Sequence, residues 1–382
     1  MIVALAPSAG EQAVRPAGGR CGVTVEPVAA RSARRAAWEG NAMTKFRVGI
    51  IGAGAISKAH IREYQAWPDV EVVAAADVIP ERAEKARSEF GLRYAFGDYR
   101  ELLRIDELDA VSVCTPPFAH MQPTIDALKA GKHVLCEKPM AMNAEEAAKM
   151  VAAAKKAGRK LAVCCARNRF SVQARAAKAF VEEGELGDIY YARTTFLRRR
   201  GRPGLDMMKD QPWFLDRSKA GGGALNDMGQ YHLDFTFWLL GYPRPVSVSG
   251  FTFRGIHPTA PKGLRHDVDE HVSAFIRLKG NFGITFEEAW AAHMAGADGV
   301  FIFGTKGGIK TNPLTFYKDI AGRFADITPV FPNTEAPRVC QEFVQAIREG
   351  RDPATKGEEA LLLARICDAI HESTRTGKEV RL

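Results

Sequence analysis

The hydrophobic and polar positions of this chain follow two rhythms, and the change between them falls near residue 168. From Met43 onward, short runs rich in Val, Ile and Ala alternate with longer segments of helical period, the order expected of parallel βαβ units. FRVGIIGAG predicts a strand and a tight turn, ISKAHIREYQAW a helix, and VEVVAAAD a second strand. PERAEKARSEFG predicts a helix opened by Pro80 and closed by Gly91. LDAVSVCTPP, KHVLCEKP and KLAVCCARN predict further strands. Between them lie the helices PTIDALKAG and NAEEAAKMVAAAKKAG, the second with Asn143 as N-cap and Gly158 as its stop. The fold class expected of residues 43–167 is therefore α/β, an open, doubly wound parallel sheet.

After Asn168 the pattern predicts a helix (VQARAAKAFVEEG), a strand near DIYYARTTFLR, an irregular Gly/Pro stretch and an apolar helix around DFTFWLLG. VSVSGFTFRG, EHVSAFIRLKG, FGITFEEAWAA and GVFIFGTKGGIK then follow strand upon strand with Gly turns, which predicts a broad, largely antiparallel open sheet. Residues 168–382 are expected to form an α+β domain. Residues 1–42 are rich in Ala, Gly, Pro and Arg without sustained periodicity, and are expected to be a disordered or non-native extension ahead of the real start at Met43.

A chain of 382 residues exceeds what one core organises, which fits two domains. Its 46% hydrophobic and 26% charged residues exclude a disordered, collagen-like or disulfide-scaffold protein. The formal charge of +8 comes from 53 basic and 45 acidic residues that are mostly interspersed, so no nucleic-acid partner is expected. The densest basic stretch, Arg198, Arg199, Arg200 and Arg202, lacks interleaved aromatic residues and reads either as a solvated loop or as a contact with substrate or cofactor. Seven cysteines without a CxxC pair point to a reducing compartment, the cytoplasm. Cys114, Cys136, Cys164 and Cys165 fall in apolar runs and read as core packing. No run approaches the ~18 apolar residues that span a bilayer, so no membrane association is expected.

Chemistry enters with Gly52, Gly54 and Ser57, which form GxGxxS after the first strand and at the mouth of a helix. Gly52 permits the turn, Gly54 lets a pyrophosphate approach the backbone, and Ala55 and Ile56 open the helix whose free N–H groups face the phosphates. Asp77 closes the second strand, where a carboxylate accepts hydrogen bonds from ribose hydroxyls and repels a 2′-phosphate. NAD is thus the expected cofactor, with NADP kept open by Arg82 nearby. His266, Asp267, Asp269, Glu270 and His271 are ligand-type residues without a metal spacing, and no metal is expected.

Further along come CTPPFAH (Cys114 to His120), CEKP (Cys136 to Pro139) and GGGALNDMGQYHLD (Gly221 to Asp234). On these motifs, in this order and spacing, the chain from about Phe46 onward resembles the Gfo/Idh/MocA oxidoreductases, a family named for glucose-fructose oxidoreductase, inositol dehydrogenase and a rhizopine-catabolism protein. The resemblance implies nicotinamide-dependent hydride transfer at a hydroxyl or keto carbon of a sugar, cyclitol or related polyol. It also implies a Rossmann domain followed by an α/β domain whose open sheet mediates homodimers or homotetramers. Thr115 and Pro116 match the loop beside the nicotinamide, His120 opens the next helix towards the cofactor, Glu137 supports the Lys138 site, and Arg169 matches an arginine that lines the substrate.

Lys138 lies at the C-terminal end of a parallel strand, where ligands of open α/β sheets bind, and its cation suits a developing alkoxide. Asp227 and Tyr231 share a face if their segment is helical. The family pattern D-x-G-x-H has Tyr231 in its histidine position, with His232 one place later. Three assignments stay open: Tyr231 as acid/base, His232 in its stead, or Lys138 and Asp227 carrying the proton between them. Lys138, Arg169, Asp227 and Tyr231 are the expected substrate contacts. Two rival functions remain, a dehydrogenase or reductase of a non-sugar substrate such as a dihydrodiol, and a catalytically silent nucleotide-binding sensor.

Overall fold

The apolar run Phe46–Ile51 becomes β1, the centre of a parallel sheet, because side chains on both of its faces must be covered. The computed structural model describes residues 45–294, 296, 298–331 and 338–382; the proposed extension 1–42, the start at Met43 and Cys21 lie outside them. Helix α1 (Ala55–Gln65) and strand β2 (Val70–Ala76) follow, then α2 (Pro80–Phe90), β3 (Tyr94–Phe96), α3 (Tyr99–Leu103) and β4 (Ala110–Val113). Helix α4 (Met121–Lys129), β5 (His133–Cys136), α5 (Ala144–Ala157) and β6 (Leu161–Val163) complete the sheet, whose order is β3-β2-β1-β4-β5-β6. All its pairings are parallel. The helix signals read from the sequence act as expected: Pro80 sits in the first turn of α2, Gly91 and Gly158 end their helices at φ 68° and 61°, and the Asn143 side chain accepts the Glu146 N–H.

One strand is shorter than its apolar run predicts. β6 ends at Val163, and Cys164–Arg169 winds into a 3-10 turn before α6 (Val172–Glu182). Beyond α6, β7 (Ile189–Leu197) leads to the short α7 (Arg217–Ala220), a π-helical turn at Leu225–Gly229 and the buried α8 (Gln230–Leu239). Strands β8 (Pro245–Phe253), β9 (His271–Leu278), β10 (Phe282–Ala289), β11 (Gly299–Gly304), β12 (Gly307–Thr311), β13 (Leu314–Ile320), β14 (Arg323–Ile327) and β15 (Val380–Arg381) join β7 in a nine-stranded sheet, in the order β14-β13-β12-β11-β7-β10-β9-β8-β15. The pairing is antiparallel, as expected, except that β7 lies parallel to β10. β7 enters before the meander starts and is inserted into its middle, which fixes its direction.

Two late helices were not read from the sequence. α10 (Gly357–Thr376) lies beneath the larger sheet, and α9 (Val339–Arg348) returns to the first one. Cys340, Phe343 and Val344 of α9 are packed with Phe46, Val48, Ile50, Ile61 and Tyr64. The six described cysteines are free and buried, and among the described residues no helix is long and apolar enough to cross a membrane.

Candidate active site

The C-terminal edge of the parallel sheet supplies the first half of the site. Gly52 turns at φ +90°, and a Cβ there would stand 2.8 Å from the backbone of Cys114 and Thr115. A Cβ on Gly54, by contrast, would have no atom within 4 Å, so the loop leaves open space above it. α1 starts at Ala55 without a side-chain cap, which leaves its first-turn N–H groups for a phosphate. Ile56 is 45% exposed at this mouth, an apolar surface that a bound ligand would cover. Ser57 is enclosed and donates to the Gly54 carbonyl at 2.7 Å, so the small third residue of the fingerprint locks the turn. Asp77 accepts the N–H groups of Ala53 and Ile79 at 2.8 and 2.9 Å, which ties the strand end to the loop. These features fit a dinucleotide: an uncapped helix start, room above a glycine, and a carboxylate beyond.

Thr115 and Pro116 are half-buried on the neighbouring loop, and the Thr115 hydroxyl donates to Ala119 O at 2.9 Å. His120 is fully enclosed behind that loop, its ring nitrogens 2.6 Å from Thr115 O and 2.8 Å from Pro139 O. It ties the loop to the end of β5 and does not face open space itself.

Past β5, Glu137 turns inward and Lys138 outward. Glu137 is paired with His60 Nε2 at 2.9 Å, and its other oxygen accepts the Lys138 backbone N–H at 3.0 Å. Burial acts against this carboxylate, but the His60 hydrogen bond and charge outweigh it and hold the group down at about 2. The Lys138–Pro139 peptide is cis. Lys138 Nζ donates to Asp227 Oδ1 at 2.6 Å and to Asp227 O at 3.3 Å. Burial disfavours the ammonium, yet Asp227 more than offsets it, and the Lys138 pKa is raised. The second Asp227 oxygen accepts the indole N–H of the fully buried Trp290 at 3.0 Å.

Tyr231 joins the pair. Its ring lies 4.8 Å from Lys138 Nζ and 3.6 Å from the Arg167 guanidinium carbon. Burial pushes its phenol up, against the lowering influence of Lys138 and Arg167. Among the described residues the Tyr231 hydroxyl takes no hydrogen bond, which leaves it for a ligand.

His232 points elsewhere. Its ring stacks on Phe196, with 3.4 Å between centroids, and Nδ1 is 2.5 Å from Glu288 Oε2. Burial, then Arg167 and Arg198, lower the imidazole to about 3, while burial and Asp227 push the Glu288 carboxyl up. The pair thus lies inside the protein without net charge. Arg169 is turned inward as well: it is 4% exposed and bound by Asp234, Glu359, the Tyr242 hydroxyl and Ala354 O. It links α8 to the segment before α10 and has no side-chain face left for a substrate, which corrects its expected role.

Two further polar clusters are held by internal contacts. Arg202 is enclosed between Asp206 and Glu270, so the basic stretch is not a fully solvated loop. Asp269 accepts the N–H groups of Gly223 and Leu225 at 2.9 and 3.0 Å, and a Cβ on Gly223 would fall 1.8 Å from Asp269 O. That close approach requires the glycine and delivers Asp227 to Lys138.

Two site residues escaped the sequence reading, Trp290 and Arg167. A tryptophan directly after an alternating strand was the available signal for the first. For the second, the arginine pair in ARNRF was visible, but its 3-10 winding was not.

Comparison with known proteins agrees with this layout. Residues 46–164 match the model of an oxidoreductase family with an NAD-binding Rossmann fold, and residues 174–310 match the GFO/IDH/MocA C-terminal domain. The chain is 29% identical to D-glucoside 3-dehydrogenase of Escherichia coli (strain K12), over 90% of this chain and 99% of that protein. It is 30% identical to levoglucosan dehydrogenase of Pseudarthrobacter phenanthrenivorans, over 87% and 96%. A solved structure of a levoglucosan dehydrogenase in complex with NADH and levoglucosan superposes with a TM-score of 0.77 at 27% identity, covering 88% of this chain and 99% of that one.

Proposed function

This chain belongs to the Gfo/Idh/MocA oxidoreductases, and from that premise we propose that Lys138, Asp227 and Tyr231 handle the proton at a hydroxyl-bearing carbon of a sugar, cyclitol or related polyol. Bound nicotinamide supplies the other half of the redox reaction, accepting or donating the hydride. The chain is an NAD-dependent oxidoreductase acting on CH–OH groups.

The Lys138–Asp227 contact of 2.6 Å, at a strand end beside the open glycine loop, carries the reading. As the alcohol is oxidised its oxygen gains alkoxide character, which the Lys138 ammonium stabilises. The hydroxyl proton passes to Nζ while Nζ passes one of its own to Asp227 Oδ1, and the relay runs backwards for reduction. Trp290 keeps the carboxylate aimed at Lys138. Tyr231, whose phenol stays protonated because of its burial, donates a hydrogen bond to the same oxygen.

Residues 43–167 hold the cofactor and 168–382 the substrate. Asp77 selects NAD over NADP by binding the ribose hydroxyls, and Glu137 and His120 fix the loops around the nicotinamide. The protein works in the cytoplasm, a compartment that suits its free cysteines. It assembles as a homodimer or homotetramer through the open face of the nine-stranded sheet, where Phe251 and Phe253 are 57% and 48% exposed.

The test is a reduced-nicotinamide absorbance screen against cyclitols, aldoses, uronates, glycosides and their keto forms, run with the parent and Lys138→Ala. Turnover in the parent and a loss of about 10²-fold or more in the variant are expected. Equal activity in both would overturn the mechanism, and no turnover by the parent would favour the silent sensor.

A further inference from the structure

The cations near Tyr231 differ in how they are paired. Lys138 is paired with Asp227, Arg169 with both Asp234 and Glu359, and His232 with Glu288. Two guanidinium groups are left over. Arg167 is exposed, lies 3.6 Å from the Tyr231 ring and takes part in no ion pair or hydrogen bond among the described residues. Arg198, at the end of β7, contacts the Met228 sulfur at 3.1 Å and Gly201 O at 3.3 Å, and it too has no carboxylate partner among the described residues. Met228 directly follows Asp227 in the chain, and both guanidinium groups lie close enough to the His232 ring to lower its pKa, so they belong to one neighbourhood.

A guanidinium stacked on a ring presents its five N–H donors in the plane, as a fork that matches two oxygens of a carboxylate or phosphate. We propose that Arg167 and Arg198 form an anion subsite beside the reacting carbon, and that the preferred substrates are sugars bearing an anionic substituent. The proposal rests on the dehydrogenase reading above in placing the sugar over Tyr231. Carboxylate and phosphate share the chemistry that the fork recognises.

The experiment compares D-glucuronate with D-glucose, D-galacturonate with D-galactose, and D-glucose 6-phosphate with both. It uses NADH-fluorescence titration of the NADH-loaded protein and, where turnover occurs, kcat/KM. The acid should bind more tightly than its neutral counterpart in at least one pair, and the phosphate arm tells which anion fits. Arg167→Gln and Arg198→Gln should each lower the acid-to-neutral ratio about 10- to 100-fold, the scale of losing a charge-assisted bidentate contact. Arg167→Lys should restore part of it. Neutral sugars binding as well as every acid would overturn the subsite. So would variants that weaken acid and neutral sugars equally, or that weaken NADH itself, since the cations would then serve Tyr231 or the cofactor phosphates. Acid-selective binding without turnover would keep the subsite and sink the dehydrogenase reading; turnover without acid preference would do the reverse.

Discussion

Nδ1 of His232 lies 2.5 Å from Oε2 of Glu288, and both side chains are buried, at 6% and 1% exposure. The histidine beside the family's usual catalytic position is therefore occupied in supporting β10, and Tyr231 is the one that faces Lys138. His232→Ala should strand Glu288 and lower stability by about 1–3 kcal/mol, the cost of leaving a buried polar group unpaired. Tyr231→Phe should leave the melting curve near that of the parent and reduce kcat instead. Urea unfolding and steady-state kinetics on both variants separate the two effects. A large kcat loss in His232→Ala with full stability would reverse the assignment.

Asp77 sets the nucleotide preference. Asp77→Ser should raise the Kd for NAD about 10- to 100-fold, the scale of a charged hydrogen-bond acceptor, and relieve the repulsion of a 2′-phosphate. Fluorescence titrations with NADH and NADPH read this directly. Tighter NADPH than NADH binding by the parent would overturn it.

The buried Glu137–His60 pair gives folding a defined pH dependence. Glu137 falls from an ordinary 4.5 to about 2 on folding. Its contribution, on the order of 3 kcal/mol, is present above pH 4.5 and lost as pH falls towards 2. His60 shifts the other way: burial opposes its charge, yet the polar groups around it hold its pKa above the ordinary 6.5. That contribution is complete below pH 6.5 and is lost as pH rises through the raised value. Urea midpoints in the parent should fall as pH drops from 5 to 3. Glu137→Gln should flatten the acid limb, and an unchanged acid limb would rule the pair out as its source.

Arg169 should act on stability. Removing one partner of a buried ion pair costs about 3–5 kcal/mol, so Arg169→Met should unfold well before the parent. Its ratio of kcat/KM between two sugars should remain that of the parent. A changed ratio would return Arg169 to the substrate.

The contrast between Arg167 and Arg169 shows where sequence reading stops. In a strand, residues two apart point the same way, and KLAVCCARN has the pattern of a strand. In a 3-10 turn each residue rotates by a third of a turn, so residues two apart diverge. One arginine therefore enters the core and the other meets Tyr231. The nucleotide loop, by contrast, was legible because Gly52, Gly54 and Ser57 act within one strand–turn–helix unit, and Asp77 closes the adjacent strand. Lys138 and Asp227 were legible as motifs, but their 2.6 Å contact depends on Asp269 pinning Gly223, a relation between distant segments. Trp290 reaches Asp227 across a strand and its loop, and no local pattern announces that.

Helix α9 has a consequence for how the protein is made. Its Cys340 N–H is held by Glu63 at 2.6 Å, and Phe343 and Val344 cover Ile50 and Ile61. While the chain emerges from the ribosome, the first sheet is translated long before the helix that seals it. The nascent nucleotide-binding half carries a bare apolar flank until residues 339–348 appear, a non-local closure that slows folding and exposes sticky surface meanwhile. A chimera that exchanges residues 43–167 between relatives would inherit that flank without its matching helix, so α9 has to travel with the sheet it covers.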